Sequence, residues 1–150
     1  MSPSSSQLPS LPQLAPLPLA FAEASAAGLF TLSAADTAAL MQTAREAGCC
    51  VRHIELQGCH DKAGLLARIA QALNFPACFG HNWDALSDCL GDLDWLPPSK
   101  GYVLVFDGLE PPGQWPILLE VLAHTAEHWR QEKVPFWALI VLPGEELEKA

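Results

Sequence analysis

Apolar and polar residues alternate along this chain with two different periods, and the periods change in a regular order. Leu29–Leu32 has the length of a short strand. Ser33 then opens a helix, with Asp36 three residues later where a capping box places an acid. Leu40, Met41, Ala44 and Ala47 keep helical spacing, and Gly48 ends it. Val51–Leu56 alternates as a strand does, with Arg52, Ile54 and Leu56 on one side and Val51, His53 and Glu55 on the other. Asp61 is placed to cap a second helix whose apolar face is Leu65, Leu66, Ile69, Ala70 and Leu73. Asn74-Phe75-Pro76 breaks that helix, and Asn82 caps a short one running to about Leu90. Tyr102–Phe106 and Phe136–Leu142 are continuous apolar runs, as expected of strands covered on both faces. Between them Ile117, Leu118, Val121, Leu122 and Trp129 predict a long helix.

Strand and helix therefore alternate, which predicts an α/β domain with a parallel sheet covered by helices. The chain has 150 residues, the length of one domain with a tail. Residues 1–27 are rich in Ser, Pro, Leu and Ala and read as a flexible or extended tail, with residues 28–150 as the domain. Leu14–Ala22 is apolar and Ala22-Glu23-Ala24 faintly resembles a signal-peptidase site. No Lys or Arg precedes Arg45, however, and Pro16 and Pro18 interrupt the run, so a secretory signal is not expected. No segment is long and apolar enough to span a membrane. The five cysteines, Cys49, Cys50, Cys59, Cys78 and Cys89, are odd in number and form no CxxC pair; buried thiols in a reducing cytoplasm are the expectation.

Charge narrows the function. Eight Lys and Arg face seventeen Asp and Glu, a net charge of −9. A nucleic-acid binder needs a basic stripe to displace counterions from phosphates, and no run of Lys or Arg exists, so direct nucleic-acid binding is not expected. An acidic chain suits a basic protein partner, although acidity also serves solubility alone. The acids concentrate where the cations vanish. Asp84, Asp88 and Asp92 are four residues apart, Asp94 follows, and Gly80–Leu96 contains no Lys or Arg. On a helix this spacing lines one face. Asp84 falls in the first turn after the Asn82 cap, where the helix dipole favours an acid; Asp88 lies in the C-terminal half, where it does not. Trp83, Leu86 and Leu90 share helical spacing and read as the core face. Before the helix, Phe79-Gly80-His81-Asn82-Trp83 sets two aromatics around a glycine, a composition suited to an interface anchor.

Asn74-Phe75-Pro76 followed by Phe79-Gly80-His81-Asn82-Trp83-Asp84-Ala85-Leu86-Ser87-Asp88-Cys89-Leu90 resembles the barstar family of ribonuclease inhibitors. The shared skeleton is a proline, an aromatic-Gly-x-Asn loop, Asp-Ala-Leu and then Asp-Cys-Leu, and the resemblance extends over roughly Val51–Leu142. It implies a three-layer barstar-like domain with a small parallel sheet of three strands, or four with the strand-helix unit at Gly28–Gly48. It implies a partner as well: a secreted or toxin-type ribonuclease, a basic protein, whose active site the acidic helix and its preceding loop would plug. Phe79, Gly80, His81, Asn82, Asp84, Ser87 and Asp88 would form the partner-binding surface, with Asp88 as the main phosphate mimic and Asp84 pairing with a second basic or guanine-site residue. Two positions depart from the family pattern: Cys78 replaces a contact tyrosine and Ser87 an exposed tryptophan. Glu110 and Glu120 are candidates for a further acidic contact.

Two rival readings use other residues. His124 and His128, four apart on the long helix, have a spacing that can chelate a metal, and Cys59-His60 is a candidate to join them. No HExxH arrangement and no Gly-rich phosphate loop accompanies them, so no catalytic residue, metal ligand or cofactor is expected. The second rival keeps the fold and changes the partner to one that is not a nuclease.

Overall fold

A computed structural model describes residues 27–59, 61–75, 82–108 and 115–141. Its elements are β1 (Leu29–Leu32), α1 (Thr37–Glu46), β2 (Cys50–Glu55), α2 (Lys62–Ala72), α3 (Trp83–Leu90), β3 (Tyr102–Asp107), α4 (Trp115–Gln131) and β4 (Phe136–Val141). The strands form one four-stranded sheet in the order β1-β4-β3-β2, and all three pairings are parallel. The architecture is thus the three-layer α/β domain expected, and the N-terminal unit supplies the fourth strand to the same sheet.

Strand order decides which face each helix covers. The chain steps from β2 to β3 to β4 one strand at a time in one direction, so right-handed crossovers place α2, α3 and α4 on the same face. From β1 to β2 it crosses the whole sheet the opposite way, which sends α1 to the other face. The core divides accordingly. Leu66 and Ile69 of α2, Leu86 and Leu90 of α3, and Leu118 and Leu122 of α4 pack with Ile54, Leu104, Phe106 and Ile140. Leu40 and Ala44 of α1 pack with Val103, Val105, Trp137 and Leu139. The central strands β3 and β4 are apolar at successive positions because both faces are covered, whereas the edge strand β2 keeps the polar residues Arg52, His53 and Glu55.

Several boundaries differ from the sequence reading. Ser33 caps a single 3-10 turn at Ala34–Asp36, accepting from the Ala35 N–H, and α1 begins only at Thr37. Asp36 therefore serves as the residue before α1 rather than as the acid of a capping box. Strand β2 begins one residue early, at Cys50, because the Cys50 N–H already bonds to the Gly101 carbonyl. Ile117, expected on the apolar face of α4, is 40% exposed; Leu118, Leu122, Ala126 and Trp129 carry the buried stripe. Of the expected tail, residues 1–27, residues 1–26 lie outside the described residues. Ala27 is already buried, and its carbonyl accepts from an Arg130 N–H at 3.2 Å.

The acidic helix as candidate functional site

Helix α3 is only eight residues long, too short to be stable by itself, so its position depends on caps and packing. The Asn82 side chain accepts from the Ala85 N–H at 2.7 Å, as the sequence predicted. Leu86 and Leu90 are fully buried, and Trp83, Ala85 and Cys89 pack against the same core. At the far end the indole N–H of Trp129, on α4, donates to the Leu90 carbonyl at 2.8 Å. A second indole, that of Trp95, donates to the Leu73 carbonyl at 2.9 Å and ties the segment after α3 to the end of α2. Trp95 also meets Phe75 edge-on, with ring centroids 5.8 Å apart. One side of α3 is thus clamped by α2, α4 and the sheet.

The other side carries the acids. Asp84 and Asp88 are exposed, and among the described residues neither forms an ion pair. Asn82 is exposed beside them and Ser87 is half-buried. The helix stops at Leu90, capped by Gly91, so Asp92 lies in the following turn, where its N–H bonds to the Cys89 carbonyl. The helix ends where the sequence places its end, near Leu90, so of the evenly spaced acids it carries Asp84 and Asp88, while Asp92 and Asp94 are exposed beyond it. Phe79, Gly80 and His81, together with Cys78, lie outside the described residues; so do Glu110 and His60. Glu120 is exposed on α4.

Next to Asp88 the surface is concave. Ser87, Asp88 and Gly91 of the α3 side and His124, Thr125 and His128 of α4 line a cleft of ≈ 240 Å³. Both histidines are exposed, and Thr125 directs its hydroxyl inward to the Val121 carbonyl at 2.9 Å. The helical spacing that suggested a metal pair instead places His124 and His128 on the wall of this cleft. Among the described residues, no third ligand gathers with them at metal-binding distance. Cys59 is apart from them, its thiol 3.7 Å from the Gly64 carbonyl. The contribution of α4 to this surface was not legible in the sequence, because it depends on how α3 and α4 pack.

The chain is thus a parallel three-layer α/β domain in which α3 is packed on one side and exposes Asp84 and Asp88 on the other. The chain belongs to the Barstar (barnase inhibitor) family, whose model matches residues 49–141. The match begins just before β2, so β1 and α1 precede it. No curated protein matches the chain. Among the described residues, no helix is long and apolar enough to cross a membrane.

Proposed function

We propose that this protein is a cytoplasmic inhibitor that binds and blocks the cationic active site of a ribonuclease through α3 and the loop before it, and that it has no enzymatic activity of its own. The observation that carries this reading is the pair Asp84 and Asp88, exposed and without cationic partners among the described residues, on a helix whose other face is buried. A ribonuclease site is cationic because it holds phosphates, and a carboxylate brought there gains charge-assisted hydrogen bonds. Membership of a family described as barnase inhibitors supports the same partner class. In this reading Asp88 takes the place of a phosphate and Asp84 meets a second basic group. Asn82, Ser87, Phe79, Gly80 and His81 complete the contact.

Titration against guanyl-specific ribonucleases tests it. Asp88→Ala should weaken inhibition by roughly 10- to 100-fold, the value of a hydrogen bond to a charged group. Inhibition of no such enzyme, or equal inhibition by Asp88→Ala, would overturn it. One observation favours a second reading, a non-nuclease partner on the same surface. Ser87 lines a cleft walled by two histidines at the position where the family pattern has an exposed tryptophan. Affinity capture from the native cell distinguishes the two: recovery of a nuclease supports the first reading, and recovery of another protein through Asp88 supports the second.

A further inference from the structure

On the opposite face of the sheet from α3, three ligating side chains converge that the inhibitor reading does not use. Strand alternation puts His53 and Glu55 of β2 on the side of Val51, which packs in the α1 layer. The parallel register then sets His53 beside Val105 and Glu55 beside Asp107, so all three polar groups share that face at the carboxyl ends of β2 and β3. The His53 ring faces a carboxylate at both nitrogens: Nε2 is 3.0 Å from Asp107 Oδ2, and Nδ1 is 3.4 Å from Glu55 Oε2. One donor atom from each residue can be chosen so that all lie within 4.8 Å of one another. Gly108 helps to hold them there. Its φ is +86°, and a Cβ at this position would stand 2.7 Å from the Gln57 backbone nitrogen, so the chain leaving β3 lies directly against the chain leaving β2.

Two carboxylates on neighbouring strands repel, and a neutral imidazole has one N–H to offer two acceptors. Among the described residues no Lys or Arg pairs with either carboxylate; Arg68 donates to the Glu55 backbone carbonyl instead, at 2.8 Å. The group therefore offers one ring nitrogen and two anionic oxygens to a cation. We infer that His53, Glu55 and Asp107 form a binding site for a divalent first-row metal of the zinc class. Ligands of tetrahedral zinc sit about 2.0–2.2 Å from the ion and so roughly 3.4 Å from one another. The His53–Asp107 separation is already near that edge length. Glu55 has to close in, and its side chain, 60% exposed, has room to do so. One nitrogen and two oxygen donors favour zinc or its neighbours over calcium and magnesium, which prefer all-oxygen shells. A three-residue set also leaves a coordination position open for water or an external ligand.

The test is calorimetric titration of the full chain with Zn²⁺ after chelator treatment, with Co²⁺ absorption as a second probe. The expected result is one equivalent bound with a dissociation constant on the order of 1–10 μM. The Co²⁺ complex should lack the thiolate charge-transfer band. His53→Gln and Asp107→Asn should each weaken binding by about tenfold or more, while circular dichroism and ribonuclease inhibition stay unchanged. His124→Ala should bind as the parent does. Binding no tighter than millimolar would overturn the proposal. So would unchanged binding in both the His53 and Asp107 variants, a thiolate band, or loss only on removing His124.

Discussion

Asp84 and Asp88 are chemically identical and one helical turn apart, yet they stand in different fields. Asp84 lies in the first turn of α3, where the N-terminal dipole favours a carboxylate; Asp88 lies toward the C-terminal end, where it gains nothing from the helix. Removing Asp84 should therefore cost about 0.3–1 kcal/mol of stability, whereas Asp88→Ala should leave the urea midpoint unchanged or slightly raised while weakening inhibition more. Urea unfolding and inhibition measured on both variants separate the two roles. A different residue-scale effect belongs to Cys49 and Tyr102. Burial chiefly raises both above their ordinary values of 9.0 and 10.0; Cys50 adds to each, Asp94 and Asp92 add to Tyr102, and Lys100 opposes the rise at Cys49. The folded state then keeps protons that the unfolded chain releases. The associated stability is fully present below the ordinary values and is lost as pH rises through the folded ones. The urea midpoint should fall above about pH 9, and Cys49→Ala should flatten the first part of that fall.

At the scale of the element, α3 illustrates how little of a short helix lies in its own sequence. Its start is local, because Asn82 bonds to the Ala85 N–H within the same turn. Its end is tertiary, because the Leu90 carbonyl is satisfied by Trp129, 39 residues away. Trp129→Phe retains most of the ring volume and deletes that donor, leaving a buried carbonyl unpaired at a cost of about 1–3 kcal/mol. The expected outcome is a lower urea midpoint together with weaker inhibition, since α3 loses the anchor beneath Asp88. Unchanged inhibition would show that Leu86 and Leu90 suffice to hold the acidic face.

For the whole molecule, the net charge of −9 matters through its placement. Gly80–Leu96 holds four acids and no Lys or Arg, so the approach to α3 is strongly negative. A basic ribonuclease should be steered to this side. Its association rate should fall as ionic strength rises, while dissociation changes little, because screening acts mainly on the encounter. Stopped-flow association measured across a salt series checks this; a salt-independent rate would mean that the partner is not recognised through the acidic surface. The division of the core into two layers adds a structural separation. The His53 group and α3 lie on opposite faces of the sheet, so occupation of one leaves the other unobstructed.

The alternation of periods in the sequence determined the order of strands and helices, since apolar runs and helical spacing are properties of neighbouring residues. The same holds for the caps at Asp61 and Asn82, which act within one turn. The acidic motif and its family were equally legible, being a contiguous run of residues. Strand order, by contrast, depends on how the crossovers turn, and only the folded sheet placed β1 beside β4 and sent α1 to the far face. His124 and His128 became a cleft wall for the same kind of reason. The two-residue period put His53 and Glu55 on one side of a strand, but Asp107 joins them only through the register of β2 with β3, a pairing across 54 residues that local chemistry does not encode.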